Sequence, residues 1–170
     1  IGIKRIIGDG RARVNVSFYY QELDDFQSNT FNGLQFQIRK AATVISKGIE
    51  AEYFVALTEK LYAQGGIVYS DVEFEDFPGG SPTAAQTSAG INAQNLSGKR
   101  PAGVSDWNIT GSFVYQSDPI NENGWYLEPR VDYQYRSDFH TGADLDPQTL
   151  QDDYFLVNAQ ISLINDERGL

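Results

Sequence analysis

Residues 46–56, SKGIEAEYFVA, alternate between polar and apolar side chains with a period of two. Glu50 and Glu52 fall on one side of a strand with this pattern, because successive side chains of a β-strand point to opposite faces. The other side receives Ile49, Ala51, Tyr53 and Val55. Two carboxylates spaced two residues apart can form a catalytic pair, or they can mark the hydrated side of a strand. The rest of the chain has to distinguish these two interpretations.

The same alternation recurs along the chain, whereas helical periodicity is nearly absent. It is found in RVNVSFYYQ (13–21), LYAQGGIVYS (61–70), DWNITGSFVYQ (106–116), WYLEPRVDYQYR (125–136) and YFLVNAQISLI (154–164). LQFQIRK (34–40) alternates in the opposite phase from the residues that follow it, which predicts a bulge or a change of environment. The chain is therefore predicted to be all-β.

The predicted connections alternate between short and long. Short turns are expected at IGDGR (7–11), LTEK (57–60), SDPINENG (117–124) and NDERG (165–169), and longer loops at 77–104 and 140–152. Asn32-Gly33 lies between two alternating runs and predicts a tight type I′ hairpin. Short turns at one end and long loops at the other are typical of antiparallel, up-and-down transmembrane β-barrels.

Composition excludes several classes of function. The 23 Asp and Glu outnumber 13 Lys and Arg, and the net charge of -10 disfavours binding to nucleic acid, which depends on cationic groups. The absence of cysteine excludes disulfides and thiolate chemistry in this sequence. The sequence contains no run of about 18 apolar residues, which is the length that a transmembrane helix needs. A strand of a membrane barrel needs only about 9–11 alternating residues.

Aromatic residues near the ends of the apolar stripes favour a membrane barrel over a soluble sheet. A barrel turns these stripes toward lipid and bands aromatic rings at the two interfaces. From Trp107 to Tyr115, about eight steps of ~3.4 Å tilted by ~40° span roughly 20 Å, close to the apolar band of about 25 Å in such barrels. The predicted aromatic girdle comprises Tyr69, Trp107, Tyr115, Trp125, Tyr133, Tyr135 and Phe155.

The succession of strands resembles the late barrel strands of TonB-dependent outer-membrane receptors. The resemblance extends over nearly the whole chain, and its most specific pieces are SKGIEAE (46–52) and LSGKRP (96–101), which precedes a strand that begins with tryptophan. It implies that residues 1–170 are part of a single C-terminal β-barrel domain. About six full strands and one partial strand, IGIKRI, form a sector that is not a closed barrel by itself, since the smallest membrane barrels use about eight.

The chain is expected to be a piece of a longer polypeptide. It begins without methionine, and no signal peptide, TonB box, plug domain or final aromatic-terminated strand is recognised in it.

The resemblance implies a receptor and transporter in the cell outer membrane of a Gram-negative bacterium, and no enzyme. The expected activity is energised uptake of a scarce solute, such as an iron–siderophore, a cobalamin-like compound or an oligosaccharide. The expected partners are outer-membrane lipid and lipopolysaccharide, the small-molecule substrate, and a TonB-type inner-membrane complex acting through the plug. A passive porin-type or adhesin β-barrel is the alternative, and a soluble β-sandwich binding module is a third possibility.

A polar side repeated on every strand favours a barrel lumen over a catalytic pair at Glu50 and Glu52. The predicted lumen-facing residues are Glu50, Glu52, Gln64, Asn108, Thr110, Glu128, Arg130, Asp132, Gln134, Arg136, Asn158 and Gln160. No catalytic, metal-binding or cofactor-binding residue is predicted, because His140 is the single histidine and the loop aspartates lack EF-hand spacing.

Solute arriving from outside is expected to meet the long loops first, and the 77–104 loop is the better candidate because it is twice as long. Its possible substrate contacts are Phe77, Asn92, Asn95, Lys99 and Arg100. These residues combine an aromatic surface, neutral hydrogen-bonding groups and two cations, so they do not choose between substrates. A loop that only covers the mouth of the barrel or binds lipopolysaccharide phosphates is the alternative.

Overall fold

The computed structural model describes residues 1–31, 36–40 and 43–165, so the predicted Asn32-Gly33 turn and residues 166–170 lie outside the described residues. The strands are β1 (Gly2–Ile7), β2 (Ala12–Asp24), β3 (Gln27–Phe31), β4 (Phe36–Lys40), β5 (Thr43–Ala56), β6 (Leu61–Asp76), β7 (Trp107–Tyr115), β8 (Tyr126–Arg136), β9 (Phe139–His140), β10 (Leu150–Gln151) and β11 (Tyr154–Ile164). One short α-helix, α1 (Ala84–Ser88), and one 3-10 turn (Pro147–Thr149) complete the elements of the described part.

The main sheet has seven antiparallel strands in the order β1-β2-β5-β6-β7-β8-β11. The strands follow one another up and down, and the two small ribbons, β3-β4 and β9-β10, are inserted between neighbours. β2, β5, β6, β7, β8 and β11 are full strands and β1 is short, which confirms the predicted sector of an open barrel. The β5–β6 pairing shifts register between Thr43 and Val44, and the extra residue lies on β6. Residues 41 and 42, which follow the run 34–40, lie outside the described residues, so the bulge or change of environment expected there stays a prediction.

Strand register divides the side chains of the sheet into two faces. The apolar face includes Val16, Ala51, Ile67, Ile109 and Tyr135, which are successive cross-strand partners from β2 to β8. No described residues cover this face, and on β11 Phe155 and Ile161 are 60% and 75% exposed. A soluble sandwich would bury these side chains under a second sheet, because exposed apolar surface costs free energy in water.

The 77–104 loop is more ordered than its composition predicts. Helix α1 begins with a capping box, in which the Thr83 hydroxyl accepts from the Gln86 backbone while the Gln86 side chain accepts from the Thr83 backbone. A β-bridge joins Gly80 to Gln94. A small hydrophobic cluster of Val44, Phe74, Phe77 and Leu96, with Val72 and Leu145 packed against it, ties the loop to β5 and β6. No helix among the described residues is long and apolar enough to cross a membrane.

The turns at the opposite end of the sheet are held by short polar contacts. The Lys60 ammonium lies 2.5 Å from the Asp118 carboxylate, which joins the β5–β6 turn to the β7–β8 turn. Asn165 is 1% exposed, and its side-chain amide donates to the Asn123 carbonyl. The long loops and the compact turns therefore lie at opposite ends of one sheet, as the sequence predicts.

Candidate functional site

The polar face of the sheet forms an open groove with a volume of about 600 Å³. Its lining is hydrophilic and comes from five consecutive strands of the sheet, with Glu52, Gln64, Thr110, Asp132 and Asn158 as one contribution from each. Carboxylates, amides and hydroxyls are interspersed along it, so the groove presents many hydrogen-bonding groups. Such a lining suits water or a polar partner.

Glu50 and Glu52 each belong to a separate cross-strand pair. Glu52 accepts a hydrogen bond from the side-chain amide of Asn15 at 3.2 Å, directly across on β2. Glu50 accepts one from the hydroxyl of Ser17 at 3.4 Å, also its direct partner. The two carboxylates are thus elements of a polar ladder along the sheet, and the arrangement does not join them in an acid–base pair.

A tyrosine lies flat on the polar face above a glycine. Tyr19, Gly48 and Ser70 are cross-strand neighbours, and the Tyr19 hydroxyl reaches over Gly48 to the Ser70 hydroxyl at 2.7 Å. A Cβ atom at Gly48 would meet the Tyr19 hydroxyl at 2.7 Å, closer than real Cβ atoms approach. Glycine at this position therefore lets one side chain connect three strands.

The register places all twelve predicted lumen-facing residues on this polar face. Within β8, the Arg130 guanidinium pairs with Asp132 at 2.7 Å, and Glu128 accepts from the Gln116 side chain at 3.1 Å. Arg136 lies on the same face, but its guanidinium contacts the long loop. Its guanidinium donates to Ser105 and Gly103 of the long loop and lies 3.8 Å from the Phe139 ring. That the polar face is a lumen stays a prediction.

The polarity of the two faces inverts near the loop ends of β5 and β6. On the apolar face, the partners Ile49 and Tyr69 are followed by Lys47 and Asp71, whose charged groups lie 3.1 Å apart. On the polar face, the groove residues give way to Val44, Val72 and Phe74, which belong to the hydrophobic cluster. Beyond this level the face that was apolar carries charges and the face that was polar is apolar.

Two tyrosines meet above two glycines on the apolar face. Tyr53, Gly65, Gly111 and Tyr133 form one row across β5, β6, β7 and β8. The hydroxyls of Tyr53 and Tyr133 are hydrogen-bonded to each other above the glycines. A Cβ atom at Gly111 would meet the Tyr133 ring at 2.5 Å and the Tyr53 hydroxyl at 2.8 Å. Sequence reasoning missed this row, because its ends are 80 residues apart.

Six of the seven predicted girdle residues lie in two groups, one at each end of the sheet. The Tyr69 and Trp107 rings pack at 4.8 Å just below the polarity inversion, and Tyr135 is the direct partner of Phe155 at the same end of the sheet. Tyr115 closes β7 at the turn end, and Trp125 immediately precedes β8. Tyr133 differs, since its hydroxyl is directed along the sheet to Tyr53, and this internal partner argues against an interfacial role. For the other six residues the girdle stays a prediction.

The structure revises the predicted substrate contacts of the long loop. Phe77 is 2% exposed at the centre of the hydrophobic cluster, so the expectation that it offers an aromatic surface is wrong. Arg100 pairs with Asp106 at 2.8 Å and with Asp138 at 2.7 Å. Burial opposes the charge of Arg100, but these hydrogen bonds outweigh it and raise the pKa of the guanidinium. Asn92, Asn95 and Lys99 lie on the exposed surface.

The loop aspartates are engaged in backbone contacts. Asp144 accepts from the Asp146 amide at 3.3 Å, and Asp146 accepts from the Gln148 amide at 2.9 Å at the start of the 3-10 turn. The described ranges hold no group of three or more His, Cys, Asp or Glu side chains placed to hold a metal ion.

A family model described as TonB dependent receptor-like, beta-barrel, matches residues 1–165. The chain belongs to this family. No match was found among curated proteins.

Among solved structures, the ferric yersiniabactin uptake receptor FyuA from Yersinia pestis is similar over 89% of this chain, with a TM-score of 0.61 and 16% sequence identity. The match covers 20% of FyuA, so the chain spans about a fifth of the length of that receptor. At this identity the likeness shows the fold alone.

The receptors of this family share a general class of function. TonB-dependent receptors are outer-membrane receptors and transporters of Gram-negative bacteria, which interact with TonB and bind small-molecule substrates. The family is not one of enzymes. The family match therefore favours the receptor over the porin-type, adhesin and soluble alternatives.

Proposed function

We propose that this chain is a sector of the barrel wall of an outer-membrane receptor that imports a scarce solute with energy from a TonB-type inner-membrane complex. The observation that carries the proposal is the separation of a polar and an apolar face across the six full strands from β2 to β11. The exposed apolar face contacts lipid, and the polar groove faces the lumen. Energy coupling acts through a plug domain that lies outside this sector.

The polarity inversion supports the proposed position in the membrane. The apolar band ends between the Ile49–Tyr69 pair and the Lys47–Asp71 pair, because an outward ion pair is stable only outside the hydrocarbon. The Tyr69–Trp107 pair then lies at the interface, where aromatic rings with a polar edge are favoured. Lys47 and Asp71 face the lipopolysaccharide layer above it.

The substrate is expected to be an iron–siderophore, a cobalamin-like compound or an oligosaccharide. FyuA is named a ferric yersiniabactin uptake receptor, so iron-containing compounds are the first class to examine. The exposed Asn92, Asn95 and Lys99 offer amides and one cation toward such a solute.

The test is solute uptake by the full-length receptor in a Gram-negative host with and without TonB. We expect the receptor in the outer-membrane fraction and uptake of one solute class that is lost when TonB is deleted. Uptake that is the same without TonB would support a passive channel instead. Recovery of the receptor in the soluble fraction would contradict the membrane assignment.

A further inference from the structure

The apolar face carries a charged side chain at Arg5 of β1. On the turn side of the Lys47–Asp71 pair, the described strands of the main sheet otherwise place aliphatic, aromatic and small residues on this face. Arg5 lies directly across from Val14, which is in turn the partner of Tyr53. The register therefore puts this one cation on the surface that we assign to lipid.

Arg5 has no counter-charge within the described residues. Its side chain is exposed, and its neighbours on the same side of β1, Ile3 and Ile7, are 64% and 51% exposed. None of the ion pairs in the described part of the chain includes Arg5. Lys47 differs, because its ammonium lies 3.1 Å from the Asp71 carboxylate. An anion that pairs with Arg5 therefore comes from outside this sector.

The depth of Arg5 in the membrane determines which anions are close to it. Along β2, its partner Val14 is six residues from Tyr20, the partner of Lys47. Six steps of ~3.4 Å tilted by ~40° correspond to about 15 Å of depth, which leaves roughly 10 Å of an apolar band of about 25 Å on the turn side. Arg5 also lies two residues before β1 ends at Ile7. It is therefore nearer to the turn-end surface of the membrane than to the outer one.

A guanidinium at this position has one favourable arrangement. A charge that faces hydrocarbon is costly, so an ionisable residue inside a membrane marks a functional site whose partner has to be identified. A long arginine side chain keeps its aliphatic stem on apolar surface while its charged end reaches the nearer interface. The phosphates of lipid headgroups lie at that interface, and a guanidinium can donate two parallel hydrogen bonds to a phosphate. The turn end is opposite the lipopolysaccharide layer, so these headgroups belong to phospholipids.

We propose that Arg5 is the centre of a binding site for an anionic phospholipid at the turn-end surface of the membrane. The guanidinium holds the lipid phosphate. Ile3 and Val16, the next cross-strand pair toward the loop end, form the apolar surface along which an acyl chain lies. The proposal rests on the proposed function, because it takes the apolar face as lipid-facing and the turn end as the inner side of the membrane.

Native mass spectrometry of the full-length receptor, titrated in detergent with phosphatidylglycerol, tests the site. We expect Arg5→Gln to weaken the binding of the first phosphatidylglycerol by about tenfold, because it removes charge-assisted hydrogen bonds to the phosphate. Lys4→Gln is the matched control, since Lys4 is the adjacent residue, is exposed, and pairs with Asn15 on the polar face. It loses the same charge and should leave the affinity unchanged. Arg5→Lys should retain most of the affinity.

The source of the phosphate is tested in the same titration. Inorganic phosphate should not displace the bound lipid, because it lacks the acyl chain that contacts Ile3 and Val16. Complete displacement by inorganic phosphate would overturn the lipid assignment.

Three further outcomes would overturn the site. One is equal affinity of the wild type and Arg5→Gln for phosphatidylglycerol. Another is equal weakening by Lys4→Gln, which would show an effect of total charge. The third is an equal loss of stability of Arg5→Gln in vesicles of phosphatidylcholine with and without phosphatidylglycerol, which would show that Arg5 pairs with a carboxylate of the protein. TonB-dependent uptake by the wild type tests the proposed function separately, so intact uptake with any of these outcomes would refute the lipid site alone.

Discussion

The hydroxyl pair of Tyr53 and Tyr133 leads to the sharpest prediction about the barrel wall. If the apolar face contacts lipid, neither hydroxyl has water as an alternative partner. Each hydroxyl is satisfied by the other, above Gly65 and Gly111. Tyr53→Phe or Tyr133→Phe would leave the remaining hydroxyl unsatisfied in an apolar environment.

The structure allows the magnitudes to be worked out. A buried polar group that loses its hydrogen-bond partner costs about 1–3 kcal/mol, whereas replacing both partners with apolar groups of the same shape is nearly neutral. Each single variant should therefore lower the free energy of unfolding by about 1–3 kcal/mol. Tyr53→Phe/Tyr133→Phe should lie within about 1 kcal/mol of the wild type, because the glycine row still accommodates both rings.

The assay is reversible denaturant unfolding of the full-length barrel in lipid vesicles, analysed as a double-mutant cycle. We expect strong non-additivity, with the double variant more stable than either single variant. Costs that simply add in the double variant would refute it. A negligible cost for Tyr133→Phe alone would show that the remaining Tyr53 hydroxyl finds another partner, and that this part of the apolar face is open to water.

Three further predictions concern the apolar face, the glycine row and the 77–104 loop. Val131→Arg should lower the free energy of unfolding by about 2–4 kcal/mol if Val131 lies near the midplane of the membrane. Gln134→Arg on the polar face should lower it much less. Equal losses in the two variants would contradict the assignment of the faces. Gln134 is a better control than Asp132, which is engaged with Arg130. Gly111→Ala should cost about 1–3 kcal/mol by displacing the Tyr133 ring, while Gly66→Ala, whose nearest Cβ contact is at 3.7 Å, should be nearly neutral; similar unfolding curves for the two would refute the close approach. Arg100→Gln removes the ion pairs with Asp106 and Asp138 and should raise the rate of protease cleavage within residues 77–104 several-fold. Lys99→Gln is the control. Equal cleavage rates in the two variants would show that these ion pairs do not hold the loop.

Much of the fold could be predicted because it depends on local pattern. A period of two assigns each side chain to a face, and a slip of one residue would exchange the faces of a whole strand. This rule predicts the face of every groove residue. The places where the alternation stops predict the short turns and the long loops. Arg136 shows where the rule stops being sufficient. The backbone determines the face on which the side chain starts, but hydrogen bonds with Gly103 and Ser105 determine where the guanidinium of this long side chain lies.

The sequence by itself determined the all-β class, the partition into two faces and the resemblance to the receptor family. Only the tertiary structure decided which distant residues meet. Phe77 is buried because Leu96 and the inward side of β5 and β6 surround it, and composition cannot distinguish this from an exposed loop aromatic. Tyr53 and Tyr133 share a hydrogen bond because the registers of four strands align two glycines between them. Alternation along a strand is a local property of the backbone, whereas these contacts depend on the relative position of strands far apart in the chain.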